Sequence, residues 1–176
     1  AAKQEGVKII EKCQFKKIIK RNNQIRGIKT NLGEIKCEYI VLCAGMWSRQ
    51  IGEAAGVSIP LYPNEHFYMI TEDYKKLPKN LPTFRDPDTY LYIREYHKKL
   101  MIGIFEPNAK NAFKKKGKVP EDFSFGEFSV DKSYVNMLHK LASKRVPKIN
   151  NLKIEKYFSG PESFTPDTNY LLGETA

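Results

Sequence analysis

Cysteine is scarce in this chain, and its spacing does not suit a metal. The three present, Cys13, Cys37 and Cys43, form no pair at a recognised ligand spacing. Two of them lie in strand-like stretches, which predicts reduced, buried thiols in a reducing compartment such as the cytoplasm. No apolar run approaches the ~20 residues that a membrane span needs, and no secretory signal opens the chain, so no membrane partner is expected. There is no G-x-G-x-x-G, so these residues carry no pyrophosphate cradle of a dinucleotide site. A nucleophile elbow is also missing, which removes the Ser–His–Asp hydrolases. No internal repeat or low-complexity segment is visible.

What is present is a globular composition. The chain has 176 residues, 41% hydrophobic and 28% charged, enough to bury a core. Its net charge of +10 comes largely from scattered lysines, densest at Lys114-Lys115-Lys116 and Lys118. No aromatic–basic repeat or recognition-helix pattern accompanies that cluster, so it reads as a solvated loop and no nucleic-acid partner is expected.

The most informative stretch runs from Tyr39 to Trp47. Ile40 to Ala44 is a short apolar run of the kind a strand buried on both faces shows. Gly45 breaks it, and from Trp47 the spacing of Ile51 and Ala54 or Ala55 becomes helical, with Gly56 placed to end the helix. Strand, glycine turn and helix form a layout that α/β proteins use beside a nucleotide.

The rest follows in order. Ala1 to Glu5 reads as a helix end stopped by Gly6. Val7 to Ile10 and Cys13 to Ile19 read as strands or as one strand with a bend, Asn22-Asn23 as a turn, Ile25 to Thr30 as a strand and Asn31 to Gly33 as a second turn. The strand Glu38 to Ala44 follows. After Pro60-Leu61-Tyr62-Pro63 come alternating strands at Glu65 to Glu72, Tyr90 to Glu95 and Leu100 to Glu106, the last two joined as an antiparallel hairpin at His97 to Lys99. Pro107 to Phe125 reads as a long surface loop, and Asp131 to Arg145 is the best helix, with Val135, Leu138, Leu141 and Ala142 on one face. Leu152 to Phe158 is a further strand.

Two motifs in this order carry a resemblance. Ala44-Gly45-Met46-Trp47 resembles the Ala-Gly-x-Trp segment of the flavin-dependent amine oxidoreductases of the glycine oxidase, sarcosine oxidase and D-amino-acid oxidase superfamily. Gly160-Pro161-Glu162-Ser163-Phe164-Thr165-Pro166-Asp167 resembles its late Gly-Pro-x-x-x-x-Pro-Asp segment, in wording nearest the dimethylglycine and sarcosine dehydrogenase branch. The similarity runs through essentially the whole chain. It implies an α+β fragment of a larger enzyme: residues 1–60 partial FAD-binding domain, 61–158 an antiparallel substrate-binding sheet with a helix, and 159–176 a return to the FAD-binding domain. FAD is the implied cofactor, a small amine the implied partner, and a folate-binding region is implied outside this chain. The mitochondrial matrix becomes the alternative compartment.

For site residues, the resemblance implies that Phe15, Ala44, Gly45 and Trp47 lie along the cofactor, although Phe15 reads equally as core. Strand alternation puts His66, Tyr68 and Ile70 on one face, opposite Phe67, Met69 and Thr71; in the next strand Tyr90, Tyr92 and Arg94 share a face. His66 and Tyr92 match a substrate-site histidine and tyrosine. Oxidising an amine requires its nitrogen neutral, which suits a histidine near its ordinary pKa or a polarised tyrosine hydroxyl. The bland alternatives are a satisfied edge histidine and a plain sheet aromatic. Arg94 is the candidate for a substrate carboxylate; a strand arginine can equally be solvated or ion-paired. Glu106 is given a structural role, Glu162 and Asp167 are expected to bond loop backbone, and His97 and His139 are given none. The implied activity is oxidation of an N-methylated amino acid such as sarcosine or dimethylglycine. The rival is a non-catalytic protein of the same architecture, like the pyruvate dehydrogenase phosphatase regulatory subunit.

Overall fold

Asn22 and Asn23 both take left-handed backbone angles, φ 51° and 59°, the geometry of a two-residue hairpin turn whose twist matches its strands. They join β1 (Phe15–Arg21) to β2 (Gln24–Thr30), and a turn at Asn31 and Leu32 returns the chain into β3 (Gly33–Lys36). The three form an antiparallel sheet in the order β1-β2-β3. This is a computed structural model, and it describes residues 1–78, 80–105, 107–114 and 117–175. Those residues fold as two compact units, Ala1–Pro60 with the segment from Tyr170 on, and Leu61–Asn169.

In the first unit, Gly27 sits where β2 passes β3 most closely: a Cβ there would come within 2.2 Å of the Ile35 carbonyl oxygen. A short 3₁₀ turn, Ala2–Glu5, ends at Gly6 with φ 80° as expected. Two expected strands are absent. Val7 to Ile10 has no ladder, and Val7, Ile9 and Ile10 are exposed. Glu38 to Ala44 is likewise unpaired, with Tyr39 81% and Val41 87% exposed. The physical reason is the same for both. A strand exists through its hydrogen-bonded neighbours, and among the described residues none pairs with either segment. The cysteines are accordingly not buried; Cys13 and Cys37 are partly exposed and Cys43 is exposed. After a 3₁₀ turn at Gly45–Trp47, helix α1 (Ser48–Ala55) stops at Gly56, φ 79°. Its small Gly52 is buried; a Cβ there would meet Ile59 at 2.6 Å.

The second unit is a five-stranded sheet carrying one helix. Its strands are β4 (Tyr62–Thr71), β5 (Phe84–Asp86), β6 (Leu91–Tyr96), β7 (Lys99–Ile104) and β8 (Ile154–Phe164), in the order β5-β6-β7-β4-β8, and every neighbouring pair is antiparallel. His97 and Lys98 turn β6 into β7 with φ 47° and 66°. Helix α2 (Lys132–Arg145) begins at Asp131, whose carboxylate accepts the Ser133 N–H at 2.9 Å, a cap that satisfies an otherwise orphaned donor. Period-two alternation gives the sheet an apolar face of Phe67, Met69, Leu91, Ile93, Ile102 and Ile104, and Leu138, Ala142 and Ile149 are buried with it. Burying such side chains contributes roughly 1.5–3 kcal/mol each, so this face holds the unit together.

Three details depart from expectation. Tyr90 precedes its strand, at φ 58°, so the strand's alternation does not extend to it. The stretch from Pro107 packs on itself, with Phe113 edge-on to Phe123 and Phe128 and Val119 buried. β8 runs past Phe158 through Gly160 and Pro161 to Phe164, paired with β4 all the way, so residues 159–169 belong with the second unit. Glu106, Lys115 and Lys116 lie outside the described residues.

Candidate active site

On the sheet face away from the core, one residue makes an unusual gap. Gly103 in β7 pairs with Tyr92 of β6 on one side and Tyr68 of β4 on the other. A Cβ at Gly103 would fall 2.2 Å from the Tyr92 hydroxyl and ring. With no side chain there, the Tyr92 ring crosses over β7, and its hydroxyl lies 3.0 Å from His66 Nε2. His66 and Tyr92 thus meet across an intervening strand.

Aromatic rings wall this pair. Phe105 stacks on His66 at 4.4 Å between centroids and tilts against Tyr92 at 5.3 Å, while Phe164 meets Phe105 edge-on at 6.4 Å. On the other side of His66, Glu162 Oε2 lies 3.7 Å from Nδ1. Gly160 stands opposite His66 in the β4–β8 register and Glu162 opposite Asn64, so alternation brings the Glu162 carboxylate onto the His66 face. In the tautomer with its proton on Nδ1, toward that carboxylate, the neutral ring has Nε2 free to accept a hydrogen bond from the Tyr92 hydroxyl.

Burial sets the electrostatics. It pushes the His66 pKa down to about 4, which overturns the expectation of a histidine near its ordinary range. The Tyr92 hydroxyl is raised to about 12 by burial, with Glu162 and Tyr68 adding and Arg94 opposing. Burial also raises the carboxyl of Glu162. At neutral pH the pair is therefore an uncharged imidazole and an intact phenol.

The other expected residues are placed as follows. Arg94 is exposed two residues along β6 from Tyr92; its Nε donates to Met101 Sδ at 3.3 Å and its guanidinium lies 5.8 Å over Tyr96. Phe15 opens β1, partly buried, and Ala44, Gly45 and Trp47 occupy the turn into α1. Asp167 bonds loop backbone as expected, accepting the Asn169 N–H at 3.2 Å, whereas Glu162 does not; it turns to His66. Sequence reasoning also passed over Arg85 in β5, whose guanidinium lies 5.4 Å over Phe105. The signal for Glu162 was available: two residues beyond Gly160, it shares that residue's face once the strand is seen to continue. Among the described residues no group of acids, histidines and cysteines is arranged to hold a metal.

The family "FAD dependent oxidoreductase" (DAO) matches residues 1–176. The chain belongs to that family. This oxidoreductase domain is 34% identical over 178 residues to the mitochondrial pyruvate dehydrogenase phosphatase regulatory subunit of Mus musculus, covering 99% of this chain and 20% of that one. It is also 34% identical over 179 residues to the mitochondrial sarcosine dehydrogenase of Mus musculus, covering 99% and 19%. The crystal structure of L-proline dehydrogenase from P. horikoshii superposes with a TM-score of 0.80 at 24% identity, over 99% of this chain and 44% of that one, and shows the same fold. The chain thus spans about a fifth of the length of these curated relatives.

Family membership implies FAD. A flavin needs a backbone that lets it approach and apolar surface beside it. Gly45 takes φ 52°, and a Cβ there would meet nothing within 4 Å, while Tyr39 and Val41 before it are exposed. These residues fit a stretch of cofactor lining. They do not supply a phosphate cradle, for which no glycine-rich loop is present in the sequence.

Proposed function

We propose that the protein containing this chain is an FAD-dependent oxidoreductase of small N-methylated amino acids, of the sarcosine or dimethylglycine type, and that His66 and Tyr92 act on the substrate. The observation that supports this reading is the His66–Tyr92 hydrogen bond of 3.0 Å, held in an aromatic recess with a carboxylate behind it. Residues 1–60 contribute Phe15, Ala44, Gly45 and Trp47 to holding FAD, and the sheet of the second unit handles the substrate. FAD, when bound, supplies the acceptor for the hydride that leaves the N-methyl carbon. A folate-binding region elsewhere in the protein, and a cytoplasmic or matrix location, complete the proposal.

The chain's own residues handle the proton. An N-methylated amino acid arrives as an ammonium and must lose a proton before its C–H bond can break heterolytically. The Tyr92 hydroxyl takes that proton while passing its own to His66 Nε2. The imidazolium so formed keeps its Nδ1 proton toward Glu162, whose negative charge stabilises it. Burial makes His66 a weak base at rest, so this step depends on Glu162. Arg94 lies on the strand of Tyr92 as a cation for the substrate carboxylate.

The test is anaerobic mixing of the complete FAD-loaded protein with sarcosine, dimethylglycine and 4-methylaminobutanoate. Bleaching of the flavin absorbance by one of them, with formaldehyde formed in equal amount after hydrolysis, is the expected result. A second reading, a non-catalytic regulatory protein, is favoured by the 34% identity to the phosphatase regulatory subunit. A retained flavin that no N-methylated amine bleaches would choose it.

A further inference from the structure

We propose that Phe105 is a positioning residue acting through His66: its ring sets the plane of the imidazole, and with it the line from Nε2 to the Tyr92 hydroxyl. The inference rests on the proton-transfer reading above. The backbone puts Phe105 in place for this. It follows Ile104, which is buried on the helix face of the sheet, so alternation turns Phe105 to the face of Gly103 and His66. It stands one step past the Phe67–Ile104 pair, opposite His66, and its N–H donates to the Tyr90 carbonyl at 3.0 Å. The chain thus offers this face a missing side chain at Gly103, over which Tyr92 crosses, and two residues on a flat one, against which His66 lies.

Hydrogen bonding alone leaves the plane of the imidazole open, because rotation about the Cβ–Cγ bond of a histidine has only a broad preference. The His66 ring is hydrogen-bonded at Nε2, while at Nδ1 the Glu162 carboxylate stands at 3.7 Å, beyond hydrogen-bond range. Phe105 supplies the missing restraint. The two rings are 4.4 Å apart between centroids and 22° from parallel, close enough to block a turn of the imidazole out of its plane and to keep water off that side. Phe105 is itself confined. Phe164 meets it edge-on at 6.4 Å, Tyr92 tilts against it at 5.3 Å, and the Arg85 guanidinium sits 5.4 Å from its centroid.

The experiment is a double-mutant cycle on the complete FAD-loaded protein. It reads the limiting rate of anaerobic flavin reduction by the N-methylated amino acid that reduces wild type. Phe105→Ala should slow reduction roughly 10- to 100-fold, the cost of a small misplacement near the reacting atoms. Added to His66→Gln it should change the rate little, because glutamine cannot take the proton that Phe105 aligns. Phe105→Tyr, which keeps a stacking ring, should retain most of the wild-type rate; Phe105→Leu, which keeps bulk without a flat face, should not. Multiplying effects in the double variant, a wild-type rate in Phe105→Ala, or equal rates in Phe105→Tyr and Phe105→Leu would each overturn the assignment. Should Phe105→Ala fail to retain its flavin, the comparison of Phe105→Tyr with Phe105→Leu decides alone. If no N-methylated amino acid reduces the wild-type flavin, the enzymatic reading falls, and the hold on the ring is read from carbethoxylation by diethyl pyrocarbonate, with exposed His97 as internal standard. His66 should react far more slowly than His97 in wild type and approach its rate in Phe105→Leu but not in Phe105→Tyr. Equal His66 rates in wild type and Phe105→Leu would overturn that hold.

Discussion

Tyr92 and His66 share a hydrogen bond of 3.0 Å although a whole strand, β7, runs between theirs. Adjacent strands stand ~4.8 Å apart, so residues two strands away do not ordinarily touch. Gly103 removes the obstacle. The contact depends on three residues: a tyrosine long enough to cross, a glycine to cross over, and a histidine to receive it.

Gly103→Ala should therefore break the pair. Its Cβ would overlap the Tyr92 ring at 2.2 Å, so the ring must leave its place. The expected cost is about 1–3 kcal/mol of stability from overpacking, read in urea unfolding, together with a loss of flavin reduction like that of Tyr92→Phe. Full activity in Gly103→Ala would show that the crossing is incidental.

A pH effect follows from His66. Its folded pKa, about 4, lies below the unfolded value of 6.5, so the unfolded state binds the extra proton between those values. The stability that His66 contributes is therefore fully present above pH 6.5 and falls by up to about 3 kcal/mol as pH drops toward 4. Glu162 has the opposite sign: with its folded pKa raised, the stability it contributes is present at low pH and lost as pH rises through that value. Urea midpoints across pH 4 to 7 should slope less in His66→Gln than in wild type and more steeply upward with pH in Glu162→Gln. Parallel curves for all three would contradict the burial of His66.

Trp47→Ala should weaken flavin retention more than it lowers fold stability. Trp47 is only partly buried at the start of α1, so truncation removes less core than the ~3–5 kcal/mol of a fully buried tryptophan. Melting temperatures of apo and holo forms test this. An equal collapse in both would make Trp47 a core residue with no cofactor role.

What the sequence reveals is governed by where the determining forces act. Asn22-Asn23 and the helix capped by Asp131 are legible because turn chemistry and capping are local. The alternation of Phe67, Met69 and Thr71 against His66 and Tyr68 is legible for the same reason. Glu38 to Ala44 misleads: its apolar run has the composition of a buried strand, but a strand's hydrogen bonds come from partners that composition does not specify. β5 escapes notice because Phe84, Arg85 and Asp86 stand between Pro82 and Pro87, too few to show a period. Glu162 is misread because a Gly-Pro motif suggests a loop, while pairing with β4 keeps it extended. The crossing at Gly103 needs the strand order, which no local pattern contains.

The central claim is that His66 and Tyr92 move the substrate's proton. The most direct measurement is rapid-mixing anaerobic flavin reduction by the N-methylated amino acid that reduces the complete protein, in wild type, His66→Gln and Tyr92→Phe, across pH 6 to 9. The account predicts reduction slowed by roughly 10²- to 10⁴-fold in both variants with flavin content unchanged. Wild-type rates in both variants throughout that range would make the pair an ordinary part of the sheet and contradict the account.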